Sequence, residues 1–178
     1  MSAYAELAVT TNFSFLRAAS HPQEMVARAD DLGLTAIGIA DRNSFAGVVR
    51  AYDEAKKRKI KLLVGTRLVT TDGFEVLAYP TDRTAYGRLC RLITAGNLKA
   101  KKSECHLSFA EILNAAEGQI FIALPAAAAH SSSPASRGRM DTFTTRLVAL
   151  VRAAPGRTFL AGVHYHRGDA PYRLGLLA

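Results

Sequence analysis

Only two cysteines, Cys90 and Cys105, occur in the 178-residue chain. Neither a disulfide framework nor a Cys-x-x-Cys zinc site can be built from them. The first residues, Met1 to Glu6, lack the basic start and apolar run of a secretory signal. No stretch approaches the roughly 20 apolar residues that span a bilayer. These absences set a reducing, cytoplasmic location without a membrane partner as the expectation. A Gly-x-Ser-x-Gly nucleophile elbow and a glycine-rich phosphate loop are both missing, which removes two large enzyme classes. Aromatic residues make up 8% of the chain and are not interleaved with basic ones in the manner of single-strand-binding proteins.

What is present is an ordinary apolar content of 49% and a formal charge of +8. The first suffices for the core of one sizeable domain. The second suits either an acidic partner such as nucleic acid or a solvated basic surface. The basic run Lys56-Lys57-Arg58-Lys59 and the group Lys99, Lys101 and Lys102 both end predicted helices. Cations there complement the helix dipole, so the runs fit that role as well as a DNA-facing side.

Short apolar runs alternate with helical spacing, the pattern of an α/β domain. Strands are predicted over Tyr4–Val9, Thr35–Ala40, Ile60–Val69, Phe74–Tyr79, Gln119–Leu124 and Thr158–Val163. Between them, helices are predicted near Ser20–Leu32, Ser44–Arg58, Thr84–Leu98, Ser108–Ala116 and Thr142–Ala153, and a last one begins near Asp169. Ser20 with Gln23 and Ser108 with Glu111 have capping-box spacing. Asp72-Gly73 predicts a hairpin turn. The alanine- and serine-rich stretch 126–138 reads as a flexible surface loop within a single domain.

Three segments carry a family resemblance. Ala5-Glu6-Leu7-Ala8-Val9-Thr10-Thr11-Asn12-Phe13-Ser14-Phe15-Leu16, Ala36-Ile37-Gly38-Ile39-Ala40-Asp41-Arg42-Asn43-Ser44-Phe45-Ala46-Gly47-Val48 and Ile60-Lys61-Leu62-Leu63-Val64-Gly65 resemble, in order, blocks of the N-terminal PHP domain of C-family bacterial DNA polymerases. That group holds the replicative (DNA polymerase III alpha-like) subunits and their error-prone relatives, and the first block is most similar to the error-prone, damage-induced members. The resemblance implies a distorted (β/α)7 barrel of TIM-like design, incomplete at its C-terminus in this chain. It also implies a metal site at the C-terminal mouth of the strands, where histidines and carboxylates hold up to three ions.

Those ligand positions are altered here. The first His-x-His falls on Ala8 and Thr10, and the next three ligands fall on Arg17, Arg42 and Arg67. A further histidine and a cysteine fall near Gly73 and Pro125, while Asp41 alone is retained. Alanine coordinates nothing, and a guanidinium offers only donors and repels a cation. The expectation is therefore no metal and no catalytic residue in this chain. The arginines should either pair with Asp41, Glu6 or Glu75, or make Arg17, Arg42 and Arg67 an anion-binding cleft. His164 and His166 imitate a His-x-His, but a solvent-exposed or hydrogen-bonded pair is the preferred reading.

The function implied is that of a structural or interaction domain within an error-prone DNA polymerase serving damage-induced mutagenesis and translesion synthesis. The nucleotidyltransferase chemistry, with Mg at palm carboxylates, would lie in the rest of the polymerase chain. Implied partners are that remainder, DNA, and accessory proteins of the damage response. Two other classes stay open: a residual metal-dependent phosphoesterase or proofreading nuclease, and an anion-binding regulatory module.

Overall fold

In the computed structural model, residues 4–124 and 134–161 are described, the side chains of 134–141 excepted. The elements run β1 (Ala5–Val9), α1 (Pro22–Asp31), β2 (Ala36–Arg42), α2 (Val48–Arg58), β3 (Lys61–Val69), β4 (Glu75–Pro80), α3 (Arg83–Leu98), α4 (Phe109–Asn114), β5 (Gln119–Ala123), α5 (Pro134–Ala153) and β6 (Thr158–Leu160). The six strands form one sheet in chain order. β1, β2 and β3 are mutually parallel, β4 is antiparallel to β3 and β5, and β6 is parallel to β5. The Asp72-Gly73 turn makes the β3–β4 hairpin, with Gly73 at φ +85°.

The sheet is curled into part of a barrel. Tyr79 on β4 donates its phenol to the Leu7 carbonyl on β1, although β2 and β3 lie between those strands in the sheet. Only a curved sheet lets one side chain bridge that gap. The ring occupies the space above two glycines: a Cβ on Gly65 would lie 2.4 Å from Tyr79 Cε1, and one on Gly38 would lie 2.5 Å from the phenol oxygen. Burial pushes the Tyr79 phenol pKa well up. Around it Ala40, Leu77 and Leu124 are buried, with Ala8, Leu63, Ile120 and Ile122 packed against them.

Helices cover the outer face. α1 and α2 place Val26, Ala29, Ala51 and Ala55 against Val9, Ile37 and Ile39. Arg58 ties the two helices together, donating to Glu54 in its own helix at 2.7 Å and to Asp30 and Asp31 of α1. The larger outer core packs Leu89, Leu92 and Ile93 of α3, Ile112 of α4 and Leu150 of α5 against Leu68, Val76, Ala78 and Phe121. Arg146 of α5 stacks on Phe74 and Phe109, 5.3 Å from each ring centre, and forks onto Asp72 in the hairpin turn.

α2 begins at Val48, four residues after the predicted Ser44, and two further helix starts differ from the sequence expectation. α1 is capped from His21, not Ser20: the His21 N–H donates to Glu24 at 2.8 Å, while the Ser20 carbonyl accepts from Asn12. A carboxylate three residues after the cap outcompetes the amide of Gln23. α5 begins at Pro134, so 134–138 belong to a helix and not to a loop. The remainder of that loop, Pro125, the His164 and His166 pair, the end of the last strand and the helix near Asp169 lie outside the described residues. The Ser108–Glu111 capping box forms as expected. Among the described residues no helix is long and apolar enough to cross a membrane.

Candidate functional site

The C-terminal ends of β2 and β3 are held in register by Asn43, which adopts a left-handed conformation (φ 45°). Its backbone N–H donates to the Arg67 carbonyl, and its side-chain amide exchanges hydrogen bonds with the Val69 backbone at 2.8 and 3.0 Å. The asparagine thus continues β2 as a surrogate strand residue. Arg42 and Arg67 are consequently cross-strand neighbours on the inner face. Arg67 lies opposite Leu77 of β4, so Glu75, two residues away, is its diagonal neighbour on the same face.

Glu75 takes both arginines. Arg67 Nη1 donates to Glu75 Oε2 at 3.2 Å, and Arg42 Nη1 lies 3.7 Å from Oε1, an ion pair without a hydrogen bond. All three side chains are partly shielded, with 26–38% of their surface exposed. Arg67 Nε is buried without a partner among the described residues. Glu6 takes no part. Its carboxylate accepts from the Tyr4 hydroxyl and the Ala8 N–H, both at 2.9 Å.

Asp41 also stays out of this pair. Strand alternation puts adjacent residues on opposite faces, so with Arg42 inward, Asp41 points outward. It is 1% exposed and saturated: Thr11 N–H and the Ser14 hydroxyl donate to Oδ1 at 2.8 and 2.7 Å, and the Thr11 hydroxyl donates to Oδ2 at 2.7 Å. The retained aspartate is an anchor for the loop after β1. Thr11 and Ser14 were invisible as its partners in the sequence, although the period of two could have shown that Asp41 and Arg42 diverge.

The remaining positions fall into place around this. The Ala8 methyl belongs to the apolar inner core. Arg17 is exposed and lines a cleft together with Arg42, whereas Arg67 does not line it. The three arginines are therefore not gathered into one pocket. Gly73 sits in the hairpin turn. Among the described residues no three His, Cys, Asp or Glu side chains come together as a metal-holding group. As a donor set, one carboxylate between two guanidiniums suits an internal ion pair and does not fit a divalent cation.

A curled α/β sheet with helices on its outer face is part of a TIM-like barrel. The fold agrees with two solved structures: a candidate metal-dependent phosphoesterase from Bifidobacterium adolescentis (TM-score 0.68, 17% identity, covering 100% of this chain and 84% of the other) and an amidohydrolase from Chromobacterium violaceum (TM-score 0.65, 11% identity, covering 98% and 82%). The family described as PHP domain matches residues 6–161, and the chain belongs to that family. Its sequence is similar to the error-prone DNA polymerases of Caulobacter vibrioides (49% identical over 175 residues) and Rhodopseudomonas palustris strain BisB5 (48% over 180 residues). Each alignment covers 98% of this chain, which spans 15% of the length of either relative.

Proposed function

We propose that this chain is the PHP domain of an error-prone DNA polymerase and acts there as a structural and interaction module, its ancestral metal site replaced by an internal ion pair. The observation that carries the reading is Glu75 lying between Arg42 and Arg67, where the resemblance puts metal ligands. A metal cluster would tie the ends of several strands together through shared carboxylates. Here the carboxylate of β4 and the guanidiniums of β2 and β3 supply an equivalent tie, with the charge signs carried by side chains alone. Polymerisation itself, with Mg at palm carboxylates, belongs to the rest of the polymerase chain. That remainder, DNA and accessory proteins of damage-induced mutagenesis are its partners, and translesion synthesis is the process served.

Elemental analysis of the purified chain after dialysis against Mn²⁺ and Zn²⁺ tests this reading. Substoichiometric metal and no hydrolysis of a chromogenic phosphodiester are expected. Stoichiometric metal with phosphodiester hydrolysis would establish the phosphoesterase alternative instead.

A further inference from the structure

A cleft of about 1170 Å³ opens beside the Arg–Glu pair. One wall is the loop after β1, residues 13–17, and the other is Asn97 at the end of α3 with residues 100–106 of the α3–α4 connection. Three cations, Arg17, Lys101 and Lys102, line it from both walls and meet no carboxylate among the described residues. Lys99 of the same basic group is instead consumed by Glu111. Glu104, the carboxylate in the lining, faces His106 at 3.3 Å. Phe15 stands in this cleft 84% exposed, with Leu16 beside it at 88%.

Neither wall is loose. Asp41 anchors Thr11 and Ser14, the Arg17 N–H donates to the Ser14 carbonyl at 2.9 Å, and Leu16 is held at φ 59°. Opposite, the Glu104 N–H donates to Lys101 and the His106 N–H to Gly96, both at 3.0 Å. An aromatic ring kept in solvent by an ordered loop, with unpaired cations around it, offers a stacking face and phosphate contacts together. A paired duplex has no free base face to give the ring, whereas a single strand does.

We propose that this cleft binds single-stranded DNA, its phosphates against Arg17, Lys101 and Lys102 and a base on Phe15. The choice of DNA rests on the polymerase reading above; the cleft chemistry does not. Fluorescence anisotropy of the 178-residue chain with a labelled oligothymidylate tests it. The K101E/K102E pair should weaken binding roughly tenfold or more at about 50 mM salt. Phe15→Ala should weaken it roughly fivefold or more, with little change in salt dependence. The K56E/K61E pair makes the same charge change at a distance from the cleft and should leave affinity within about twofold of wild type at the same salt. Unchanged melting temperatures show that the variants fold. No binding by the wild-type chain, or an equal loss from K56E/K61E, overturns the proposal. So does a Phe15→Ala variant that keeps its DNA affinity but loses association with the remainder of the polymerase. A uridine oligomer bound more tightly than thymidine overturns the DNA assignment alone, and the metal measurement tests the polymerase-domain reading separately.

Discussion

The Ser14 hydroxyl stands between Asp41 and the backbone of Arg42, donating to Asp41 Oδ1 at 2.7 Å and accepting from the Arg42 N–H at 2.9 Å. One side chain therefore fixes the loop after β1 to the end of β2. The same hydroxyl holds the backbone of the inward arginine through one bond and satisfies the outward aspartate through another.

Asp41→Ala should remove about 2–3 kcal/mol of stability in chemical denaturation, because two hydroxyls and a backbone N–H lose a buried charged acceptor. Ser14→Ala should remove about 1 kcal/mol. Equal stability of Asp41→Ala and wild type would show that water replaces the carboxylate and that the loop is not anchored there.

A double-mutant cycle on Arg67→Met and Glu75→Gln should return a coupling of about 1 kcal/mol, the pair being partly exposed. The Arg42–Glu75 cycle should return less, since that contact is 3.7 Å and lacks a hydrogen bond. The reverse order would mean that Arg42 is the principal partner in solution.

Acid should destabilise the fold through a defined set of carboxylates. The Lys99 ammonium, then the Ser108 N–H and hydroxyl, hold Glu111 at about 2. Arg146 and Thr70 hold Asp72 below its ordinary value, and the Ala85 N–H at the start of α3 does the same for Asp82. Each folded value lies below the unfolded one. The stabilisation is thus complete above the ordinary carboxylate range of about 4 and is lost as pH falls through the folded values. The melting temperature should be level near neutrality and drop below about pH 4. Glu111→Gln should shrink that drop, and a melting temperature level down to about pH 3 would contradict the assignment.

Arg146→Lys should cost about 1 kcal/mol although the charge is kept, because an ammonium neither forks onto Asp72 nor spreads its charge over both Phe74 and Phe109. A neutral substitution, read by thermal melting, would reduce the contact to a surface ion pair.

Periodicity and turn chemistry carried most of the fold. Apolar runs of strand length found β2 and β3, Asp72-Gly73 found the hairpin, and Ser108 with Glu111 found the cap of α4. The mouth was legible in part: Glu75 was a candidate partner of the arginines, but so were Asp41 and Glu6. Choosing among them required knowing which strand lies next to which and which face each residue takes. The cleft was not legible. Phe15 and Arg17 belong to one loop and Lys101 and Lys102 to another, and a search for aromatic and basic residues interleaved along the chain misses a pattern that only folding assembles.

Tyr79, Gly38 and Gly65 have a consequence for how such a chain can change over generations. Any side chain at 65 collides with the tyrosine ring, and any at 38 collides with its hydroxyl. A descendant can gain a methyl at either glycine only after position 79 has already shrunk, and losing the tyrosine first also frees the Leu7 carbonyl that it caps. The permitted order of replacement is therefore fixed. The three positions, scattered over forty-odd residues of sequence, are thus coupled, with Tyr79 the one that must change first.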